Sequence, residues 1–131
     1  MTSPRLLVAV AAGGAIGALL RWWLTDLFPD DVGFAWTTFA INVSGTFALA
    51  CLPVFAVVER NQLLDAAIGP GLLGGYTTLS TYSEQARSLL AEGRPVVAAA
   101  YLLGTLAACL AAAALARPIV HGRPHRAEEH R

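Results

Sequence analysis

The sequence predicts an all-α membrane protein with four transmembrane helices, the third of which is broken. The chain is 56% hydrophobic and only 14% charged, whereas soluble domains carry about 25% charged residues. Its apolar residues fall into four runs, each long enough for a helix that crosses a bilayer. The third run also contains an unusually polar stretch, LLGGYTTLSTYSE. These observations exclude a soluble domain, and the net charge of zero provides no basic surface for nucleic acid.

The four crossings follow one another with short connections. They are predicted at residues 6–24, 36–58, 63–90 and 95–120. Trp22 and Trp23 suit the membrane–water interface at the end of the first crossing, because an indole ring is apolar with a polar edge. A cleavable signal peptide is the alternative for this run, since Arg5 precedes it. Residues 1–120 are therefore expected to form one transmembrane domain, and residues 121–131 a polar, disordered tail.

The arginines are distributed unevenly between the two sides of the predicted membrane. All nine basic residues are arginines. Four crossings place six of them on the side that carries both termini: Arg5, Arg60, Arg117, Arg123, Arg126 and Arg131. The other three lie on the opposite side: Arg21, Arg87 and Arg94. By the positive-inside rule, we expect a multi-pass protein of the cell membrane with cytoplasmic termini.

Several short motifs in the apolar runs favour packing over chemistry. GPGLLG at residues 69–74 fits a dinucleotide fingerprint, but that motif works only between a strand and a helix. The G-x-x-x-G spacings at 13–17 and 71–75 are typical of helices whose backbones approach closely. Cys51 and Cys109 lie in apolar runs and are expected to be buried as small hydrophobic residues. With no nucleophile–base pair and no carboxylate at mid-membrane depth, the sequence predicts neither an enzyme nor an organic cofactor.

The polar stretch of the third run predicts a break in its helix. Gly74 and Gly75 have poor helix propensity, and Thr77 and Thr78 are β-branched. A break near Tyr76 would release carbonyl oxygens from the helical ladder. Released carbonyls at membrane depth are good ligands for a small hard cation.

The hydroxyl groups that follow the break predict a path for an anion. Ser80 and Thr81, together with Asn42 of the second crossing, offer hydrogen-bond donors without formal charge. Such donors can replace the hydration shell of an anion, and the positive ring edges of Tyr82 and Phe47 can add to them. The alternative is that these residues serve only helix packing, as small polar residues often do in membranes.

Three motifs resemble those of the Fluc (CrcB) family of fluoride channels. GGAIGALLRWW at 13–23 is similar to the signature of the family's first helix, and WTTFAINVSGTF at 36–47 to that of its second. GGYTTLSTYS at 74–83 resembles the third-helix signature GGxTTFSTFS. The resemblance implies an antiparallel dimer with two narrow pores that pass fluoride passively and protect the cell by letting fluoride leave. It also implies a structural sodium ion at the centre of the dimer.

The resemblance further implies which residues carry these roles. Main-chain carbonyls of Gly74 and Thr77 would hold the sodium ion, and Arg21 would lie near a pore vestibule. The fluoride pathway would contain the family's asparagine and the polar track of the third and fourth helices: Asn42, Ser80, Thr81, Tyr101 and Thr105.

Four positions depart from the family's pattern. The paired phenylalanines fall on Leu79 and Tyr82, the following glutamate falls on Gln85, with Glu84 adjacent, and a fourth-helix serine falls on Cys109. Leucine has no ring edge to offer fluoride, so one pore built from this chain is expected to be impaired. With the uneven arginines, this favours a subunit that pairs with a second, different chain; a homodimer inserted in both orientations is the alternative.

Two other functions remain as alternatives. A small four-helix multidrug antiporter has a similar length, but it couples drug to protons through a carboxylate in the membrane, and the first crossing contains none. A membrane subunit that transports nothing would use its serines and glycines only for packing. Binding of fluoride or sodium would separate that subunit from a channel.

Overall fold

The computed structural model describes residues 3–30 and 33–121, and wherever their backbone is regular it is helical. The all-α prediction is therefore confirmed. Three helices are long: α1 (Pro4–Leu27), α2 (Trp36–Cys51) and α7 (Pro95–His121). The remainder are a 3₁₀ turn (Leu52–Val54), α3 (Ala56–Glu59), α4 (Gln62–Ala66), a π-helical segment (Ala67–Leu73), α5 (Gly74–Tyr76) and α6 (Leu79–Ala91). The predicted tail lies, from residue 122 on, outside the described residues.

Three stretches of the described chain are long and apolar enough to cross a membrane. They are Pro4–Leu27, Trp36–Val54 and Pro95–Val120. The crossing predicted at 63–90 is instead assembled from α4, the π-helical segment, α5 and α6, here called the third segment (residues 62–91). Pro70 lies in its π-helical part. Because proline has no N–H, it cannot close a normal helical turn at that point.

Glycines bring α1 and the third segment into direct backbone contact. A Cβ atom on Gly13 would collide with the carbonyl oxygen of Ala67, and one on Gly17 with that of Leu72. From the other side, a Cβ on Gly75 would collide with the carbonyl oxygen of Gly14. The two G-x-x-x-G motifs therefore pack against the same interface, as such motifs do in membranes.

Hydrogen-bonding caps mark both limits of the third segment, a side-chain cap where α4 begins and a main-chain cap where α6 ends. Asn61 accepts hydrogen bonds from the N–H groups of Leu63 (3.1 Å) and Leu64 (3.3 Å) at the start of α4. Gly93 ends α6 with a φ of 72°, a conformation that glycine adopts without strain. Its N–H donates to Leu90, and the Arg94 N–H to Leu89. This paired arrangement is a Schellman turn, and it sends α7 back along α6.

The buried core lies where α2, α6 and α7 meet. It consists of small residues around one tyrosine: Ala35, Ala86, Leu89, Ala98 and Tyr101. Large apolar side chains are exposed along α1 and α7, for example Leu19, Leu103 and Leu110. Exposed leucines are stable on these helices when the surrounding medium is lipid.

Candidate functional site: a polar groove beside a helix interruption

The third segment leaves the helical conformation at two threonines. α5 ends at Tyr76, and Thr77 (φ −75°, ψ 159°) and Thr78 (φ −147°, ψ 121°) are extended before α6 begins at Leu79. The Thr78 Oγ1 accepts a hydrogen bond of 3.1 Å from the Thr81 N–H and thereby caps α6. Threonine is suited to both positions, because it favours extended backbone and its hydroxyl can cap a helix.

Asn42 of α2 binds both main-chain groups of Thr78. Its Nδ2 donates to the Thr78 carbonyl at 3.0 Å, and its Oδ1 accepts from the Thr78 N–H at 2.8 Å. In a continuous helix, that N–H would donate to the carbonyl oxygen of Gly74, four residues earlier. The asparagine therefore takes the place of the helical ladder and leaves the Gly74 carbonyl out of it. One N–H of the Asn42 amide is not used by Thr78.

A groove of about 230 Å³ opens beside this pair, between α2, α6 and α7. Its lining combines neutral polar groups with apolar ones: Asn42, Thr46, Thr77, Thr78, Leu79, Tyr82, Thr105, Leu106 and Cys109. Thr105 is only 3% exposed, and within the described ranges its hydroxyl has no hydrogen-bond partner. Burying a hydroxyl without a partner costs free energy, so Thr105 stands out among the described residues that line the groove.

The groove brings together four of the residues predicted for the fluoride pathway. They are Asn42, Leu79, Tyr82 and Thr105. Leu79 is 75% exposed and lies at the open side. The other predicted residues lie outside the lining: Phe47, Ser80, Thr81 and Tyr101. Ser80 and Thr81 remain close, since both hydroxyls are hydrogen bonded to Thr78 Oγ1, at 3.2 and 3.0 Å.

The two tyrosines are held by hydrogen bonds between α6 and α7. The Tyr82 hydroxyl donates to the carbonyl of Leu102 at 2.6 Å, and its ring centre lies 5.2 Å from that of Tyr101. Tyr101 is fully buried and donates its hydroxyl to Gln85 Oε1 at 2.7 Å. Tyr101 therefore supports the wall behind the groove in this single chain.

Arg21 of α1 reaches the helix interruption from the opposite side. Its Nε donates to the carbonyl oxygen of Gly75 at 3.2 Å. The guanidinium is thus hydrogen bonded to a carbonyl close to the break in the helix. The carbonyls of Gly74 and Thr77, predicted to bind sodium, lie on either side of Gly75 and Tyr76 in the chain.

The sequence prediction missed a polar cluster at the start of α2. Asp30, which precedes α2 by several residues, bonds to Thr38 and to Gln85 of α6. Thr38 could have been found, because it lies four residues before Asn42 and therefore on the same helix face. Asp30 carries no such signal, since an acidic residue in a short loop is ordinary.

The chain matches a family model and several named relatives over most of its length. The model of the family described as "CrcB-like protein, Camphor Resistance (CrcB)" matches residues 8–117. The chain is 42% identical over 115 residues to "Fluoride-specific ion channel FluC 2" of Nocardia farcinica, with 86% of this chain and 82% of the relative covered. It is 37% identical over 119 residues to "Fluoride-specific ion channel FluC" of Shewanella amazonensis, covering 87% of this chain and 94% of the relative.

Proposed function

This chain belongs to the CrcB-like family, and from that premise we propose that it is a subunit of a fluoride-selective channel through which fluoride leaves the cell passively. Its relatives are named as fluoride-specific ion channels. They are channels and not enzymes, in agreement with the prediction that this chain catalyses no reaction. The channel domain comprises residues 1–120, the cell membrane is its location, and both termini face the cytoplasm.

The unpartnered hydroxyl of Thr105 in the groove is the observation that supports this proposal most strongly. Together with the Asn42 amide, whose second N–H is not used by Thr78, it provides donors without formal charge. Neutral donors compensate an anion for its lost water without binding it too tightly to leave. Among the described residues, none that lines the groove is Asp, Glu, Lys or Arg, so those residues offer no carboxylate to a proton-coupled antiporter there.

Replacing Thr105 with valine is expected to stabilise the protein while slowing the channel. The change removes the unpartnered hydroxyl, whose burial costs about 1–3 kcal/mol, and keeps the shape of the side chain. We expect a higher unfolding temperature in detergent and a fluoride efflux from liposomes that falls about ten-fold or more. Thr105→Ser, which keeps the hydroxyl, is the matched control. A Thr105→Val channel that conducts as well as the parent would show that this hydroxyl does not contact fluoride.

The carbonyls of Gly74 and Thr77 form the chain's share of a structural sodium site. Diversion of the Thr78 N–H to Asn42 leaves the Gly74 carbonyl outside the ladder, and Thr77 is extended. Neutral main-chain oxygens of an unwound helix suit a sodium ion. Two oxygens are too few for a complete shell, so a second subunit must supply the others. The family resemblance implies that this ion lies at the centre of an antiparallel dimer.

The second subunit is a different chain of the same family. Leu79 lies at the open side of the groove, where a phenylalanine ring would present a positive edge to fluoride. A homodimer of this chain would lack that ring in both pores. The six-to-three distribution of arginines also favours one orientation of this chain in the membrane.

Efflux from liposomes that contain this chain alone tests both proposals. We expect slow but fluoride-selective efflux, measured beside chloride, and an increase of about ten-fold or more in Leu79→Phe because the new ring edge faces the groove. Leu103→Phe, which adds the same ring at an exposed site of α7 outside the groove, is the control and should change nothing.

The outcomes of this experiment separate the channel from its pairing. Fast fluoride efflux from the unmodified chain would contradict the need for a second chain while supporting the channel. Absence of fluoride efflux and of fluoride binding in the parent and in Leu79→Phe, and again after a second subunit of the family is added, would contradict the channel itself.

A further inference from the structure

Asp30 precedes α2 in the chain and accepts hydrogen bonds from the first turn of α2 and from α6. Its Oδ1 accepts from the Thr37 N–H at 2.7 Å, and its Oδ2 accepts from Thr38, whose N–H lies at 3.2 Å and whose hydroxyl lies at 2.9 Å. The same Oδ2 accepts from Gln85 Nε2 of α6 at 3.1 Å. All of these partners are donors, so an ionised carboxylate, which only accepts, fits the position.

Gln85 extends this cluster from α6 to α7. Its Nε2 also donates to the Thr38 hydroxyl at 3.1 Å, and its Oε1 accepts from the Tyr101 hydroxyl at 2.7 Å. Because the amide nitrogen of Gln85 donates to Asp30 Oδ2 and to Thr38 Oγ1, its amide oxygen faces Tyr101. Asp30 thus fixes the direction in which the Gln85 amide is placed.

The cluster lies one helical turn from the groove on two helices and close to it on a third. Thr38 precedes Asn42 by four residues on α2, and Tyr101 precedes Thr105 by four on α7. On α6, Gln85 follows Tyr82 by three. Residues at these spacings share a helix face. A group that ties the three positions together therefore holds the three walls of the groove at a fixed separation.

We propose that Asp30 is a positioning residue of the anion pathway: its carboxylate orients the Gln85 amide and, through it, sets the spacing of α2, α6 and α7 around the groove. The effect on transport rests on the proposed channel function. The orientation of Gln85 does not, and it can be measured separately.

Hydrogen exchange of the glutamine side chains measures that orientation directly. Gln62 and Gln85 are the two glutamines of the chain, so labelling with ¹⁵N-glutamine gives two side-chain amide signals. We expect the Gln85 amide to be protected in the parent and to exchange about ten-fold faster or more in Asp30→Asn, where a carboxylate oxygen is replaced by a donor. Asp26→Asn, which removes an exposed carboxylate from the end of α1, is the matched control. Unchanged protection of Gln85 in Asp30→Asn would overturn the proposal, whether or not the protein conducts.

Exchanging the two groups tests the consequence for transport. Fluoride efflux, measured in the Leu79→Phe background, should fall about ten-fold in Asp30→Asn and also in Gln85→Glu, where two carboxylates would face each other. The double variant Asp30→Asn/Gln85→Glu restores a donor opposite a carboxylate, and Tyr101 can still donate to it. We expect the double variant to conduct better than either single one. If its efflux equals the product of the two single losses, residues 30 and 85 act independently and the proposal is wrong. Where one single variant fails to fold, a double variant that conducts no better than the remaining single variant overturns the proposal.

Discussion

Replacement of Asn42 with alanine is expected to lower fluoride efflux by about 100-fold or more. The asparagine satisfies both main-chain groups of Thr78 in a buried setting. Alanine leaves that N–H and carbonyl without partners, at about 1–3 kcal/mol each, and removes the Asn42 amide from the groove lining. The helix interruption should therefore rearrange at the point where the anion pathway and the sodium site meet. The measurement is efflux from liposomes in the Leu79→Phe background.

Two further variants make the Asn42 result interpretable. Ser44→Ala removes a more exposed polar group of the same helix, which contacts the Tyr76 hydroxyl at 3.1 Å, and should conduct nearly as the parent does. Asn42→Asp keeps an acceptor for the Thr78 N–H but adds a negative charge beside the groove, so it should block fluoride even when the protein folds. Efflux at the parent's rate in Asn42→Asp would contradict a role for this residue in anion passage.

Substitution of Gly17 with alanine is expected to destabilise the protein by about 3 kcal/mol or more, the upper range for overpacking. The added methyl group would collide with the carbonyl oxygen of Leu72 and lie 2.8 Å from the Tyr76 nitrogen. Both are backbone atoms, which cannot turn aside as a flexible side chain can. We expect α1 and the third segment to separate, which would be seen as a large fall in the unfolding temperature in detergent.

Gly104 provides the matched control for Gly17. It also lies within a long helix, but a Cβ atom there meets nothing closer than the Phe34 ring at 4.0 Å. Gly104→Ala should therefore leave stability unchanged or raise it by about 0.5–1 kcal/mol through better helix propensity. Equal losses in Gly17→Ala and Gly104→Ala would contradict the packing described for α1.

The features that the sequence predicts correctly are those encoded locally. Runs of apolar residues identify the long helices, because bilayer thickness fixes the length that such a run needs. The spacing of Gly13 and Gly17, and of Gly71 and Gly75, identifies close helix packing. The π-helical turn around Pro70 was not predicted, since proline in an apolar run indicates a distortion without specifying its form.

The site could be predicted in part, and the missing part depends on contacts between distant residues. Asn42 was predicted from its amide donor and Tyr82 from its ring edge, whereas Leu79 and Thr105 came from the family resemblance. All four line the same groove. The partnership of Asp30 with Gln85 joins positions 55 residues apart, and neither residue has a pattern that points to the other. Such a contact can be predicted only once the positions of the three helices around their common core are known.

The glycine contact between α1 and the third segment also bears on how the chain enters the membrane during synthesis. α1 is made first, and because it is helical from Pro4 to Leu27, its main-chain groups are hydrogen bonded within the helix before the other segments are present. The third segment cannot satisfy its own main chain in this way, because its non-helical threonines would expose main-chain groups to lipid. Since α1 and α2 are already present when this segment leaves the ribosome, they provide a ready surface for its backbone and for Thr78. Each segment therefore enters the membrane at a point in synthesis when partners for its main-chain groups are already present.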